Sequence, residues 1–288
     1  MDTIGSQTIW GLFDDEADPK AVSNTEVRRS SGHLVHSYVN LAQKIAALQF
    51  LNREHVLLFR GQTSDFRNSS ELTTIKPTIF RARASRKVPT RESLAARFSK
   101  LMEAEALLVK RYSEQKIIGA DRLMRHRLLR WSILQHYDVC PTPLLDVSQS
   151  LRIAASFATN EEASEAFVYV LAVPNLSGAV TASSEASMQI VRLSSACPPS
   201  AMRPHFQEGY LLGEYPEISD VPPFGQYKHG ELDFARRLVA KFRFNPMTFW
   251  KNDAFPQLSI KALYPTGNRD PLEKLMLDLK AEIEGDLL

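Results

Sequence analysis

From Val35 to Leu51 the chain reads VHSYVNLAQKIAALQFL, with apolar residues at the three- and four-residue spacing that lines one side of a helix. The next apolar run, Val56 to Phe59, is short and continuous, the pattern of a strand in a sheet interior. TTIKPTIFRARASRKVPTRES carries two prolines and many basic residues and reads as loop. Helical spacing returns from Leu94 to Arg111, with Phe98, Leu101, Met102, Ala106 and Leu107 on the apolar side. It returns again from Asp121 to His136, where Leu123, Leu128, Trp131 and Leu134 can share a face. CPTPLLD ends that helix, because proline disfavours helix at its own position and at the one before. SQSLRIAASFA starts another, with Ser148 or Ser150 near its beginning. AFVYVLAVP, QIVRL, GYLLGEY and RLVAKFRFN are further strand candidates. PLEKLMLDLKAEIEG combines an early proline, a helical stripe and a terminal glycine.

These helices and strands are interspersed without regular βαβ alternation, which predicts an α+β domain with a substantially antiparallel sheet. With no internal repeat and no low-complexity linker, residues 33–288 read as one domain. Residues 1–32 are polar and aperiodic, and read as a lead segment.

Composition narrows the setting. Among 288 residues 44% are apolar, enough for a sizeable core. No apolar run approaches the roughly 18 residues of a membrane span, and the N-terminus lacks the basic-then-apolar order of a signal peptide. The expectation is a soluble, cytoplasmic protein without a membrane partner. Cys140 and Cys197 are far apart and suggest neither a disulfide framework nor a zinc site. The net charge of +2 is uneven: Lys76 to Arg130 holds fifteen Lys or Arg against five Asp or Glu, a balance of +10 that leaves −8 elsewhere. Such a segment is either a footprint for phosphates or nucleic acid, or the solvated faces of two helices.

Three stretches could carry chemistry. In Phe59-Arg60-Gly61-Gln62 a guanidinium closes an apolar strand, and the glycine after it would let a ligand or another backbone approach. Arg60 is then either a rim charge or an anion ligand. WSILQHYDVCPTPLLDVSQSLRIAASFA gathers Gln135, His136, Tyr137, Asp146 and Ser148 around a proline-kinked turn. His136 could be a general acid or base, or a buried histidine bonded to Asp146 or a backbone carbonyl. Asp146 could cap the next helix or orient His136 or Arg60, and Ser148 could start that helix or belong to a site. In RPHFQEGYLL, Gln207 and Glu208 precede a glycine and a strand. The remaining histidines show no metal-ligand spacing, so no metal site is expected. There is no Walker A loop, GxSxG elbow or GxGxxG motif.

LFRGQ, QHYDVCPTPLLDVSQSLRIAASFA and the later QxG element together resemble the FRG domain, a family named after its Phe/Tyr-Arg-Gly motif. The resemblance spans roughly His33 to Glu284. The family is similar to the ADP-ribosyltransferase fold, so it implies a split, largely antiparallel sheet flanked by helices, with NAD as substrate. By that similarity Arg60, with Gly61 and Gln62, would bind the NAD phosphates or ribose. Tyr137 would stack on the nicotinamide, and Asp146 and Ser148 would lie near its ribose, with His136 shaping the cleft. Gln207, with Glu208 beside it, would take the catalytic place on the third strand. Cleavage of the nicotinamide–ribose bond builds an oxocarbenium-like charge that a carboxylate stabilises. Strand alternation would let only one of Gln207 and Glu208 face the cleft. If that is Gln207, the site lacks its usual carboxylate or borrows Asp146. Pro143 and Asp138 stand where relatives often have Arg and Gly.

The resemblance implies ADP-ribose transfer to a protein, nucleic-acid or nucleotide acceptor, or NAD hydrolysis. A toxin or anti-phage effector, with an antitoxin or regulatory partner, would fit that chemistry. The alternative from the charge pattern is a non-catalytic nucleotide-sensing or nucleic-acid-binding module built on residues 76–130.

Overall fold

The computed structural model describes residues 4, 9–13, 18–81, 89–159, 164–215, 232–251, 254–266 and 270–285. In chain order its first elements are β1 (Ile9–Gly11), β2 (Lys20–Val22), α1 (Asn24–Arg29), β3 (His33–Leu34), α2 (Tyr38–Leu51), β4 (Val56–Gln62), α3 (Arg91–Glu114), α4 (Ala120–Arg125), α5 (Arg127–His136) and β5 (Leu145–Ser148). There follow α6 (Leu151–Ala158), β6 (Ala166–Val173), β7 (Val180–Ser183), β8 (Met188–Arg192), α7 (Leu193–Ala196), α8 (Arg203–Phe206), β9 (Gly209–Glu214), β10 (Leu238–Phe244), α9 (Pro246–Phe249), α10 (Ile260–Leu263) and α11 (Pro271–Gly285). The protein is α+β and its strand pairing is mostly antiparallel. Two compact units are woven from alternating stretches of chain, and the division falls inside β5, between Asp146 and Val147.

The first unit comprises Met1–Ile75, Val147–Ser177 and Asp233–Leu263. Its central strand is β6, AFVYVLAV, buried at every position, as a continuous apolar run requires. On one side β6 pairs antiparallel with β4, from Val56↔Val173 to Gln62↔Phe167. On the other it pairs antiparallel with β10, and β3 joins β10 in parallel through Phe242↔His33. The expected polar lead segment is partly built into this unit. β1 and β2 pair antiparallel, and Ile9, Leu12 and Val27 are buried. A capping box between Ser23 and Glu26 starts α1. The buried Asn24 amide donates to Ala235 O at 2.9 Å and Leu238 O at 2.8 Å. Polar composition hid this docking, because it rests on a few apolar residues spaced too irregularly to show a period.

The second unit comprises Lys76–Asp146, Gly178–Leu232 and Tyr264–Leu288. It pairs β7, β8 and β9 in an antiparallel sheet and packs α3 against α5 and α11. Leu94, Phe98, Leu101, Ala104 and Leu108 face its core from α3. Met102, expected on that side, is exposed, and Glu105 is buried there instead. Glu105 is accommodated because Trp131 Nε1 donates to it at 2.8 Å and Arg130 Nε at 2.8 Å. The helix expected from Asp121 to His136 is broken at His126, which adopts an extended backbone between α4 and α5. Arg130 Nη1 donates to Leu123 O and Met124 O at 2.9 and 3.0 Å, satisfying carbonyls that the end of α4 leaves open.

Candidate functional site

Strand alternation sorts the residues around Arg60 onto two faces. Phe59 is paired with Ser148 on one side and Val170 on the other, and Gly61 with Val168. This is the face that α6 covers. A Cβ on Gly61 would lie 1.8 Å from Ala154 O and 2.8 Å from Ala158 N. The space beside Gly61 is therefore filled by helix backbone and not by a ligand, which corrects the expectation for that glycine. Ser148 is buried on the same face, and its Oγ accepts from Ser150 N at 3.0 Å, shaping the entry to α6. Arg60 and Gln62 point to the opposite face. Ser148 does not join them, because one strand pairing sets the two side chains on opposite sides of the sheet.

On the Arg60 face a polar row crosses three strands: Arg60 on β4, Tyr169 on β6 and Lys241 on β10 are direct cross-strand partners. Lys241 is completely buried. Its Nζ donates to Asp65 Oδ2 at 2.7 Å, Thr73 Oγ1 at 2.9 Å and Ser30 O at 2.5 Å. Asp65 also accepts from Tyr169 Oη at 3.0 Å, Thr73 Oγ1 at 2.8 Å and Arg67 Nε at 2.9 Å. Both carboxylate oxygens thus hold two bonds each. Such a carboxylate is a structural clamp rather than a reactive group, since its lone pairs are already committed. Burial first, and Asp65 second, hold the Tyr169 phenol well above its ordinary pKa, so it serves as a donor. Arg60 Nε is buried while the residue keeps partial exposure. A lysine inside the buried strand LVAKFRF was the one sequence signal for this clamp, because a buried ammonium needs a carboxylate.

In the second unit the turn from α5 to β5 holds His136 and Asp146. His136 is buried, and its Nδ1 lies 3.6 Å from Asp146 Oδ1, an electrostatic contact longer than a hydrogen bond. Gln135 Nε2 donates to Asp146 Oδ2 at 2.7 Å, and Thr142 Oγ1 donates to Gln135 Oε1 at 2.7 Å. Burial lowers the His136 pKa more than Asp146 raises it, so the ring is neutral near pH 7. The Asp146 side chain keeps 37% of its surface. Tyr137 does not offer a stacking platform: its ring carries the Arg203 guanidinium at 5.3 Å and its hydroxyl donates to Asp270 at 2.8 Å. Asp138 takes the left-handed backbone, φ 54°, a conformation that favours glycine, and it pairs with Arg203 Nη2 at 2.7 Å.

Gln207 and Glu208 precede β9 rather than belonging to it. Gln207 ends α8 and is buried; Glu208 has φ 43° and an exposed side chain. Strand alternation therefore does not govern them: the Gln207 amide is buried and the Glu208 carboxylate is exposed. The glycine that follows has a packing cause, since a Cβ on Gly209 would lie 2.7 Å from Leu193 Cδ1 and 3.5 Å from His136 Cε1.

The family model of the FRG domain matches residues 55–166, the stretch that contains Arg60, His136, Asp146 and Ser148. The chain carries an FRG domain. No curated protein and no solved structure matches the chain. Gln207 and Glu208 lie outside the matched stretch.

Within the FRG domain several arginines of the basic segment are tied to the protein itself. Arg97 donates to Ile79 O and Arg81 O, Arg127 and Arg130 to Glu105, and Arg122 to Ser195 O. Arg111, also in the segment, donates to Glu282. Arg83, Arg86 and Lys87 lie outside the described residues. Among the described residues no group of three or more His, Cys, Asp or Glu could hold a metal ion, and no helix is long and apolar enough to cross a membrane.

Proposed function

We propose that this FRG-domain protein binds NAD through Arg60 and acts on it as an ADP-ribosyltransferase-like enzyme. The observation that carries the reading is Arg60 itself: a strand guanidinium inside the matched segment, rooted by a buried Nε and still partly exposed. A guanidinium seated in this way suits a pyrophosphate, which it can hold with two parallel N–H donors. The acceptor is a protein or nucleic acid, and a toxin or defence role with a restraining partner is consistent with that chemistry.

The test is nicotinamide release from NAD by the purified protein and by Arg60→Ala, alone and with cell lysate, DNA or RNA added. Release by wild type, lost in Arg60→Ala with the melting temperature preserved, supports the reading. Equal release by both proteins refutes the Arg60 assignment. No release in any condition, together with no NAD binding by calorimetry, refutes the function, and the nucleic-acid module then takes precedence.

A further inference from the structure

We propose that Asp146, oriented by Gln135 and Thr142, holds His136 in its Nδ1–H tautomer and leaves Nε2 as the acceptor nitrogen. The inference takes His136 as a site residue on its place in the matched segment, and it rests on the polarity of a chain of contacts. That chain ends at a group that can only accept, the Asp146 carboxylate. Leu144 N donates to Thr142 Oγ1 at 3.2 Å, which leaves the hydroxyl proton free to point elsewhere. Thr142 Oγ1 is 2.7 Å from Gln135 Oε1, so the hydroxyl donates and the amide oxygen accepts. The carboxylate at the other end can only accept, so it fixes the amide orientation: Gln135 Nε2 donates to Asp146 Oδ2 at 2.7 Å. Asp146 Oδ1 faces His136 Nδ1 at 3.6 Å. A lone pair on Nδ1 would face carboxylate charge, whereas a proton there meets an acceptor, so the proton resides on Nδ1.

Thr142 is completely buried and Gln135 and His136 nearly so, which keeps water from rewriting the order. At the far end, His136 Nε2 is buried and meets no hydrogen-bond partner among the described residues. A ligand group that pairs with Nε2 must therefore be a donor, such as a hydroxyl or a carboxamide N–H. Neither Thr142 nor Gln135 has to touch the ligand for this to hold.

Imidazole ¹H–¹⁵N correlation spectra of the full chain, with His136 assigned through His136→Gln, read the tautomer directly and require no NAD. The wild type is expected to show protonated Nδ1 and bare Nε2 at pH 7.5. In the near-isosteric Asp146→Asn, Gln135 Nε2 retains the amide oxygen as its acceptor and turns the new NH₂ towards Nδ1, so the tautomer inverts to Nε2–H. Thr142→Val should keep Nδ1–H, because the carboxylate facing that nitrogen can still only accept. A wild-type Nε2–H signal overturns the proposal, as does an Asp146→Asn spectrum that keeps Nδ1–H. The wild-type spectrum decides the question even if a variant fails to fold. Because NAD takes no part, failure of the NAD reading and failure of this inference are separate results.

Discussion

Gly61→Ala separates a packing role for the family's glycine from a ligand role. The new Cβ would fall 1.8 Å from Ala154 O and 2.8 Å from Ala158 N, both backbone atoms of α6. An ordinary carbon–oxygen contact is more than 3 Å, so β4 and α6 must separate by over an ångström or the strand must twist. Overpacking of this kind costs about 1–3 kcal/mol and occasionally more, and the severity of this clash places it at or above the upper end. The alanine recovers only about 0.4–1 kcal/mol through the unfolded chain. A net loss of about 2–3 kcal/mol corresponds to a fall in Tm of roughly 4–12 °C at about 2–4 °C per kcal/mol. Thermal melts and urea midpoints of Gly61→Ala measure it directly. Ala154→Gly should not rescue the variant, because the clash is with main-chain oxygen and not with a methyl group. If Gly61→Ala melts within 2 °C of wild type and instead loses only ligand binding, α6 does not fill that space and the reasoning fails.

The other expectations concern buried charge. Lys241→Met leaves Asp65 buried without its ammonium, and since Arg67 still pairs with it, the loss should lie near the lower end of the roughly 3–5 kcal/mol typical of a broken buried pair. The double variant Lys241→Met/Asp65→Asn should recover part of that loss in urea titrations, and simple additivity would count against the clamp. His136 gives a pH dependence of definite sign. Its folded pKa lies below the unfolded value of 6.5, chiefly through burial. Below pH 6.5 the unfolded chain takes up a proton that the folded chain refuses, so stability falls until the folded pKa is passed. The urea midpoint should drop between pH 7.5 and 5.5 and drop less in His136→Gln; equal drops would refute the assignment. His55 shifts in the same direction and accounts for part of the remaining slope.

The long periodic helices and the apolar strands were legible because burial writes a period into them. α2, α3, α6 and α11, and β4, β6, β8, β9 and β10, stand where the spacing predicted. β5 was not legible, since LDVS follows two prolines and offers only four residues, half of them polar. The break at His126 was equally hidden, because Arg130 satisfies the broken turn from a distance that sequence spacing does not show. Among site residues, the joining of His136 to Asp146 was foreseeable from the motif. The separation of Arg60 from Ser148 was not, because it depends on which residue of β4 faces β5. Asp65 escaped notice for a similar reason: its partners Tyr169 and Lys241 lie more than a hundred residues further along the chain.

The Asp65 clamp also bears on how the chain can be cut. Lys241 arrives on β10, and so do the antiparallel partners of β6, while the family match ends at residue 166, the first residue of β6. A fragment trimmed to 55–166 would keep Asp65 and Thr73 but discard the ammonium, the phenol and the strand that cover them. Its central strand β4 would lose β6, the neighbour with which it pairs along its whole length. The boundary by which the domain is recognised is thus narrower than the unit that can fold. During synthesis, the Arg60 face would stay open until some 180 further residues had emerged and β10 could dock.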